Sequence, residues 1–132
     1  MAQNEEQNSV ETQQNLKMIL LVEDDSNIGE VLVQAITQET SYLATLVPDG
    51  FEALKMVDGI KPSLFILDYQ LPRMNGMELY DKLHAIETLA NVPAIMMSAG
   101  LPDKELEKRK ILGMNKPIDL DDFLQTIDQF LL

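Results

Sequence analysis

Residues 18–25 read MILLVEDD, an uninterrupted apolar run that ends in three acids. A continuous apolar run without alternation is typical of a strand that is buried on both faces, as in a parallel sheet. Acids that directly follow such a strand lie at its carboxyl end, where open parallel sheets place their ligands. This stretch therefore predicts both the class of fold and the edge of the sheet at which a functional site lies.

Buried strands and amphipathic helices alternate along the rest of the chain. Further strands are predicted over residues 42–47, 64–67, 92–97 and 112–115. Helices are expected to start after Ser26 as N-cap, after Asp49 with Glu52 in capping-box spacing, near residue 77, at residue 103 and after Asp119. The pattern predicts an α/β fold: a doubly wound five-stranded parallel sheet with helices on both faces. For the strand order we adopt the flavodoxin-like 2-1-3-4-5, a common order of doubly wound sheets.

For three of the predicted helices, the sequence also indicates which side chains are apolar, polar or exposed. The apolar side of the first helix is predicted to consist of Ile28, Val31, Leu32, Ala35 and Ile36, which follow helical spacing. The helix over residues 77–86 should hold His84 on its polar side. The charged segment 103–110 is expected to be a short exposed helix closed by Gly113, either a solvated face or a surface that meets partners.

Composition indicates one globular domain. The 132 residues are 45% hydrophobic and 24% charged, enough to bury a core. Residues 1–16 are polar and contain Glu5, Glu6 and Glu11 but no base, so we expect a flexible acidic tail there and a domain over residues 17–132.

Charge and residue usage exclude several classes of function. A net charge of −12 repels phosphate backbones and argues against direct nucleic-acid binding. No apolar run approaches the roughly 20 residues of a membrane span, and no secretory signal is visible, so membrane insertion is not expected. The chain has no cysteine, which excludes disulfides and thiolate metal sites and is compatible with a cytoplasmic location.

Polar residues lie where the predicted strands end. Glu23 and Asp24 follow the first strand, Asp68 the third, Ser98 the fourth and Lys116 the fifth. In the order 2-1-3-4-5 the first and third strands are neighbours, so Asp24 and Asp68 come within reach of one ion. Carboxylate oxygens suit Mg²⁺, and a carboxylate, a metal, an ammonium and a hydroxyl are the groups that phosphoryl transfer requires.

Four segments at these strand ends resemble the receiver domains of bacterial two-component response regulators (CheY-like). They are LVEDD at residues 21–25, DYQLPRMNG at residues 68–76, Ser98-Ala99 and Lys116-Pro117. The likeness covers roughly residues 17–132, in order and with suitable spacing, and we expect a signalling module without an effector domain of its own.

The resemblance implies a role for each matched residue. Asp68 would accept a phosphoryl group, and Asp24 would ligate Mg²⁺ together with Asp68, the backbone carbonyl of Gln70 and, through water, Glu23. Lys116 would pair with the acceptor and then with the phosphoryl group, and Ser98 would move to hydrogen-bond it. The Lys116-Pro117 bond would be cis.

The resemblance also implies partners and a mode of action. The phosphoryl donor would be a phosphohistidine on a sensor histidine kinase or histidine phosphotransfer protein, or a small donor such as acetyl phosphate. The output would be contact with a downstream protein that the sequence does not identify. The chain would not be an enzyme beyond Mg²⁺-dependent self-phosphorylation and autodephosphorylation.

Two departures from the family pattern keep alternatives open. Receiver domains usually carry an aromatic residue shortly before the strand-five lysine, but no Phe, Tyr or Trp lies between Ser98 and Lys116, and this stretch is a few residues short. A protein-binding pseudo-receiver that is not phosphorylated is therefore one alternative. An aspartate-nucleophile phosphohydrolase is another, disfavoured because Gln70 stands where such enzymes place a second acid.

Overall fold

The computed structural model describes residues 16–132, and the apolar runs form one parallel sheet. Its strands are β1 (Met18–Val22), β2 (Leu43–Val47), β3 (Leu64–Asp68), β4 (Ala94–Ser98) and β5 (Leu112–Asn115), in the order β2-β1-β3-β4-β5. All four neighbouring pairs are parallel, with Val22 opposite both Val47 and Leu67. The predicted fold class and strand order are confirmed. Of the predicted tail, only Leu16 belongs to the described residues.

Within residues 16–132, five helices cover the two faces of the sheet. They are α1 (Ser26–Glu39), α2 (Gly50–Met56), α3 (Gly76–His84), α4 (Asp103–Arg109) and α5 (Leu120–Leu131), with a short 3₁₀ turn at Glu87–Leu89. Leu32 of α1 and Phe123 of α5 pack against Ile19, Leu21 and Ile66 on one face. Helices α2, α3 and α4 cover the opposite face of the sheet. Among the described residues, no helix is long and apolar enough to cross a membrane.

Acidic side chains cap three of the helices. Asp49 and Asp119 accept the backbone N–H of Glu52 and Asp122 at 2.9 and 3.0 Å, as predicted. The prediction for the first helix was wrong by one residue, because Asp25 rather than Ser26 is its N-cap. The Asp25 carboxylate accepts hydrogen bonds from the backbone N–H groups of Asn27 and Ile28, in the first turn of α1.

The end of α4 also differs from the prediction. Lys110, with φ of 57°, closes the helix in the left-handed conformation. Gly113 instead lies inside β5, opposite Met96 of β4. The sequence favoured Gly113 because glycine is the usual residue at such an end, but the helix stops three residues earlier.

The predicted placement of His84 on the polar side of its helix was wrong. Its Nδ1 and Nε2 lie 2.8 and 2.6 Å from the carbonyl oxygens of Tyr80 and Val92. The ring stacks on Tyr80 and meets the buried Phe65 edge-on, with centroids 3.8 and 5.7 Å apart. His84 therefore belongs to the contact between α3 and the sheet.

Part of the predicted apolar side of α1 remains on the surface. Leu32 and Ile36 are buried as expected, whereas Ile28 and Val31 are 38% and 51% exposed. Ile28 and Val31 line an apolar groove with Ile118 and Leu120, which lie after β5 and at the start of α5. Lys116 also lines this groove, so the groove reaches the edge of the sheet where the acids lie.

Candidate acidic site at the carboxyl edge of the sheet

The strand order brings the carboxyl ends of β1 and β3 side by side. Glu23 and Asp24 directly follow β1, and Asp68 is the last residue of β3. One carboxylate oxygen from each of these three residues lies within 4.8 Å of the other two. Glu23 and Asp68 are 2% and 3% exposed, whereas Asp24 faces solvent. The structure thus forms a partly buried acidic cluster with one open side.

Lys116 supplies the positive charge of the site. Its Nζ donates to Glu23 Oε1 at 2.8 Å and lies 3.3 Å from Asp68 Oδ1. The backbone N–H of Lys116 donates to the carbonyl of Ser98 at 3.0 Å, which extends the β4–β5 pairing and sets the lysine at the sheet edge. The Lys116-Pro117 bond is cis, as predicted. Burial disfavours the ammonium, but hydrogen bonding to Glu23 and the charge of Asp68 raise the pKa of Lys116 above its ordinary value.

The side chain of Glu23 has a raised pKa. Burial raises the pKa of Glu23 from 4.5 to about 7, and the nearby Asp68 carboxylate adds to the rise, although the hydrogen bond from Lys116 opposes it. One lysine is therefore shared by two buried carboxylates. Without a further cation, Glu23 is the group of the site that takes up a proton near neutral pH.

The pKa of Glu23 predicts a pH-dependent stability of the metal-free protein. Because its pKa is raised on folding, the stabilisation from protonated Glu23 is complete below about pH 4.5 and is lost as the pH rises through about 7. Relative to Glu23→Gln, wild type should lose about 2 kcal/mol of unfolding free energy between about pH 5 and about pH 8. Urea titrations in EDTA measure this difference; a constant difference across that range would contradict the assignment.

Ser98 ends β4 but does not hydrogen-bond to the acids. It is 1% exposed, and its Oγ donates to the carbonyl of Gly100 at 3.2 Å and accepts the N–H of Gly100 at 3.1 Å. Among the described residues, Ser98 Oγ has no other hydrogen-bond partner. The predicted contact of Ser98 with a phosphoryl group thus requires this hydroxyl to leave Gly100, and its role stays a prediction.

Gln70 touches the site through its backbone. Its N–H donates to Asp68 Oδ1 at 3.3 Å, and its side chain is exposed. This contact fixes the orientation of the Asp68 carboxylate from the loop that follows β3. The predicted use of the Gln70 carbonyl as a metal ligand stays a prediction.

The donor set of the cluster fits a hard divalent cation. Three carboxylates and one ammonium leave a net charge of −2 when all are ionised. All ligands offered are oxygens, and the exposed side near Asp24 leaves room for water, which suits Mg²⁺ better than a softer metal. A cation there would also relieve the repulsion between the two buried acids.

Arg73 makes contacts that the sequence did not reveal. It lies in the loop after Asp68 with φ of 67°, and its Nη2 donates to Asp49 Oδ2 at 3.0 Å. Its guanidinium carbon is 5.1 Å from the ring centroid of the exposed Phe51. The turn signal at residues 71–76 predicts a loop here, but nothing in the sequence pairs residue 73 with residue 49.

Comparisons with known proteins identify a family. The sequence model of the family described as response regulator receiver domain matches residues 19–128. The polar-differentiation response regulator DivK of Brucella anthropi is 27% identical over 119 residues, which cover 87% of this chain and 96% of DivK. A solved receiver domain protein (CheY-like) from Methanospirillum hungatei has a TM-score of 0.79 at 25% identity, covering 87% of this chain and 93% of that one.

A longer relative matches over part of its length. The alkaline phosphatase synthesis transcriptional regulatory protein PhoP of Bacillus subtilis is 32% identical over 108 residues. The match covers 82% of this chain but 41% of PhoP, so it concerns one region of that regulator. With its acids, lysine and strand order in the arrangement described above, and with residues 19–128 matched, this chain belongs to the response regulator receiver domain family.

Proposed function

We propose that this receiver domain takes a phosphoryl group from a phosphohistidine onto Asp68 and signals by contact with other proteins. One observation carries the proposal: Asp68, nearly buried, lies 3.3 Å from Lys116 Nζ and within 4.8 Å of the carboxylates of Glu23 and Asp24. The Asp68 carboxylate thus lies beside one ammonium and two acids that could hold a cation, and the ammonium and the cation together would neutralise the charge of an incoming phosphate.

In the proposed reaction, a carboxylate oxygen of Asp68 attacks phosphorus and the N–P bond of the donor breaks. The electron pair of that bond stays on the imidazole nitrogen, and the product is an aspartyl phosphate. The reaction depends chiefly on alignment and charge neutralisation, because the transferred group brings its own reactivity. The N–H of Gln70, by hydrogen-bonding to Asp68 Oδ1, orients the attacking carboxylate.

Asp24, Asp68, the backbone carbonyl of Gln70 and, through water, Glu23 would hold Mg²⁺. Bound there, the ion would neutralise phosphoryl oxygens. The ammonium of Lys116 would move from Asp68 toward the transferred group. It would keep its hydrogen bond to Glu23 Oε1, which is 2.8 Å long in the structure. Glu23 would therefore position Lys116 as well as support the ion. Ser98 would supply a hydroxyl hydrogen bond to a phosphoryl oxygen.

Receiver domains are signalling modules rather than classical enzymes, and the proposed chemistry of this chain is self-phosphorylation and autodephosphorylation only. We propose a cytoplasmic location, with which the absence of cysteine is compatible. The donor would be a sensor histidine kinase or a histidine phosphotransfer protein, and a separate downstream protein would receive the signal.

The apolar groove beside Lys116 supports a protein donor. Exposed Ile28 and Val31 of α1 border the same edge of the sheet as Asp68, so a protein that presents a histidine to Asp68 would cover them. Val31→Glu should slow phosphoryl transfer from a histidine phosphotransfer protein at least about tenfold, because a charge would be buried in the contact. Uptake from acetyl phosphate should be unchanged; equal slowing with both donors would contradict this docking surface.

The proposed function is tested by intact mass spectrometry after incubation with acetyl phosphate, in Mg²⁺ or in EDTA. We expect one added phosphoryl group in Mg²⁺ and none in EDTA, because the acidic cluster repels the donor without a cation. Beryllofluoride binding gives a second readout that needs no donor chemistry. No uptake together with no response to beryllofluoride would contradict the proposal.

A pseudo-receiver that binds proteins without being phosphorylated is the second candidate. One observation favours it: Gly113 and its neighbours in β5 offer no aromatic side chain before Lys116. No phosphoryl uptake and no response to beryllofluoride in the experiment above would favour this second candidate.

A further inference from the structure

Gly113 of β5 leaves a notch that two leucines fill. A Cβ atom at Gly113 would lie 2.8 Å from Leu101 Cδ1 and 2.9 Å from Leu106 Cδ1. Leu101 belongs to the loop between β4 and α4, and Leu106 is a buried residue of α4. A residue with a side chain at position 113 would have to displace both leucines, so this contact depends on glycine.

The same loop is tied to Ser98. Ser98 Oγ donates to the carbonyl of Gly100 and accepts its N–H, and Gly100 directly precedes Leu101. A hydroxyl has one proton to donate. Donation to a phosphoryl oxygen therefore removes the bond to the Gly100 carbonyl, and movement of Oγ toward the phosphoryl group would also break the bond from the Gly100 N–H, which frees the residue to which Leu101 is attached.

The two ends of α4 are held differently. Near its C-terminus, Arg109 makes a bidentate ion pair with Asp81 of α3 at 2.7 and 2.8 Å, and Tyr80 Oη donates to the carbonyl of Arg109 at 3.2 Å. At its N-terminus, Pro102 provides no side-chain cap. Leu101 and Leu106 pack over Gly113 and so attach the N-terminal half of α4 to β5.

We propose that Leu101, seated in the Gly113 notch, couples the position of Ser98 to the N-terminal end of α4. When Ser98 leaves Gly100, Leu101 moves out of the notch, and α4 tilts about its fixed C-terminal end. The coupling rests on the proposed function, since it begins with a phosphoryl group on Asp68. It supplies a route from the acidic site to the surface of α4 in a chain without an aromatic residue between Ser98 and Lys116.

The test compares wild type, Leu101→Ala and Leu43→Ala by amide NMR spectra before and after phosphorylation with acetyl phosphate and Mg²⁺. Leu43 is a half-exposed leucine on the distant strand β2 and serves as the matched control. Wild type and Leu43→Ala should show shifts at residues 103–106 on phosphorylation. Leu101→Ala should lose most of these shifts, while its rate of phosphoryl uptake stays within about twofold of wild type.

Gly113→Ala tests the coupling in the opposite direction, without phosphorylation. Because the new methyl group displaces Leu101, the amides of Gly100 and residues 103–106 should shift in the unphosphorylated protein. Changes confined to β5 would overturn the coupling. Normal uptake in Leu101→Ala with wild-type shifts in α4 would overturn it too. Absence of uptake in wild type, together with no response to beryllofluoride, would instead refute the proposed function itself.

Discussion

Replacing Asp68 with asparagine is expected to abolish phosphoryl uptake while the fold remains intact. The amide is nearly the same size as the carboxylate, and its oxygen can still accept the N–H of Gln70. Lys116 keeps its hydrogen bond to Glu23, so no buried charge is left without a partner. An amide oxygen is, however, far less nucleophilic than a carboxylate, and uptake should fall at least about 10³-fold.

Asp25→Asn is the matched control for this variant. Asp25 lies at the same edge of the sheet, but its carboxylate caps α1, and asparagine caps a helix equally well. We expect normal uptake in Asp25→Asn and a normal unfolding midpoint in both variants. Uptake by Asp68→Asn at the wild-type rate, measured by intact mass, would remove Asp68 from the proposed role.

Gly76→Ala is expected to destabilise the protein strongly and to slow phosphoryl uptake. A Cβ atom at Gly76 would lie 2.5 Å from the backbone oxygen of Asp68, 2.7 Å from Met96 Sδ and 3.0 Å from Tyr69 Cα. Two of these three atoms belong to the backbone and cannot turn away, so the start of α3 must move relative to the end of β3. We expect a loss of about 3 kcal/mol in unfolding free energy. Urea titrations measure this loss.

Gly59→Ala provides the comparison at a position without neighbours. A Cβ atom at Gly59 would meet no atom within 4 Å, and Gly59 does not have positive φ. Its substitution should change the unfolding free energy by less than about 0.5 kcal/mol. If Gly76→Ala and Gly59→Ala lost similar amounts of unfolding free energy, the close approach of Gly76 to Asp68 would not be the reason for glycine at position 76.

The class of fold could be predicted because it depends on regular patterns, whereas the strand order was adopted from a common arrangement of such sheets. The apolar run before Glu23 and the recurrence of such runs require a parallel sheet, and helices between the strands must cover it. Single-residue features were less predictable. Ser26 and Asp25 are both good helix caps, and the sequence does not state which of the two has the non-helical backbone that an N-cap requires.

The composition of the acidic site was predictable, but its contacts were not. Strand ends identify Glu23, Asp68 and Lys116, because parallel strands end at one edge. That Lys116 is closer to Glu23 than to Asp68, or that Ser98 bonds to Gly100, depends on side-chain rotamers and loop geometry. The wrong prediction for His84 has a similar origin. Histidine is common both at exposed and at half-buried positions of a helix, so the sequence alone does not tell which of the two it occupies.

The most direct test of the central claim is to locate the phosphoryl group. Borohydride reduces an aspartyl phosphate to homoserine, so peptide mass spectrometry of the phosphorylated and reduced protein identifies the acceptor. We predict homoserine at position 68, with Asp24 and Asp25 unchanged. Homoserine at another position, or a phosphoryl group that resists reduction because it sits on a hydroxyl such as that of Ser98, would contradict the account.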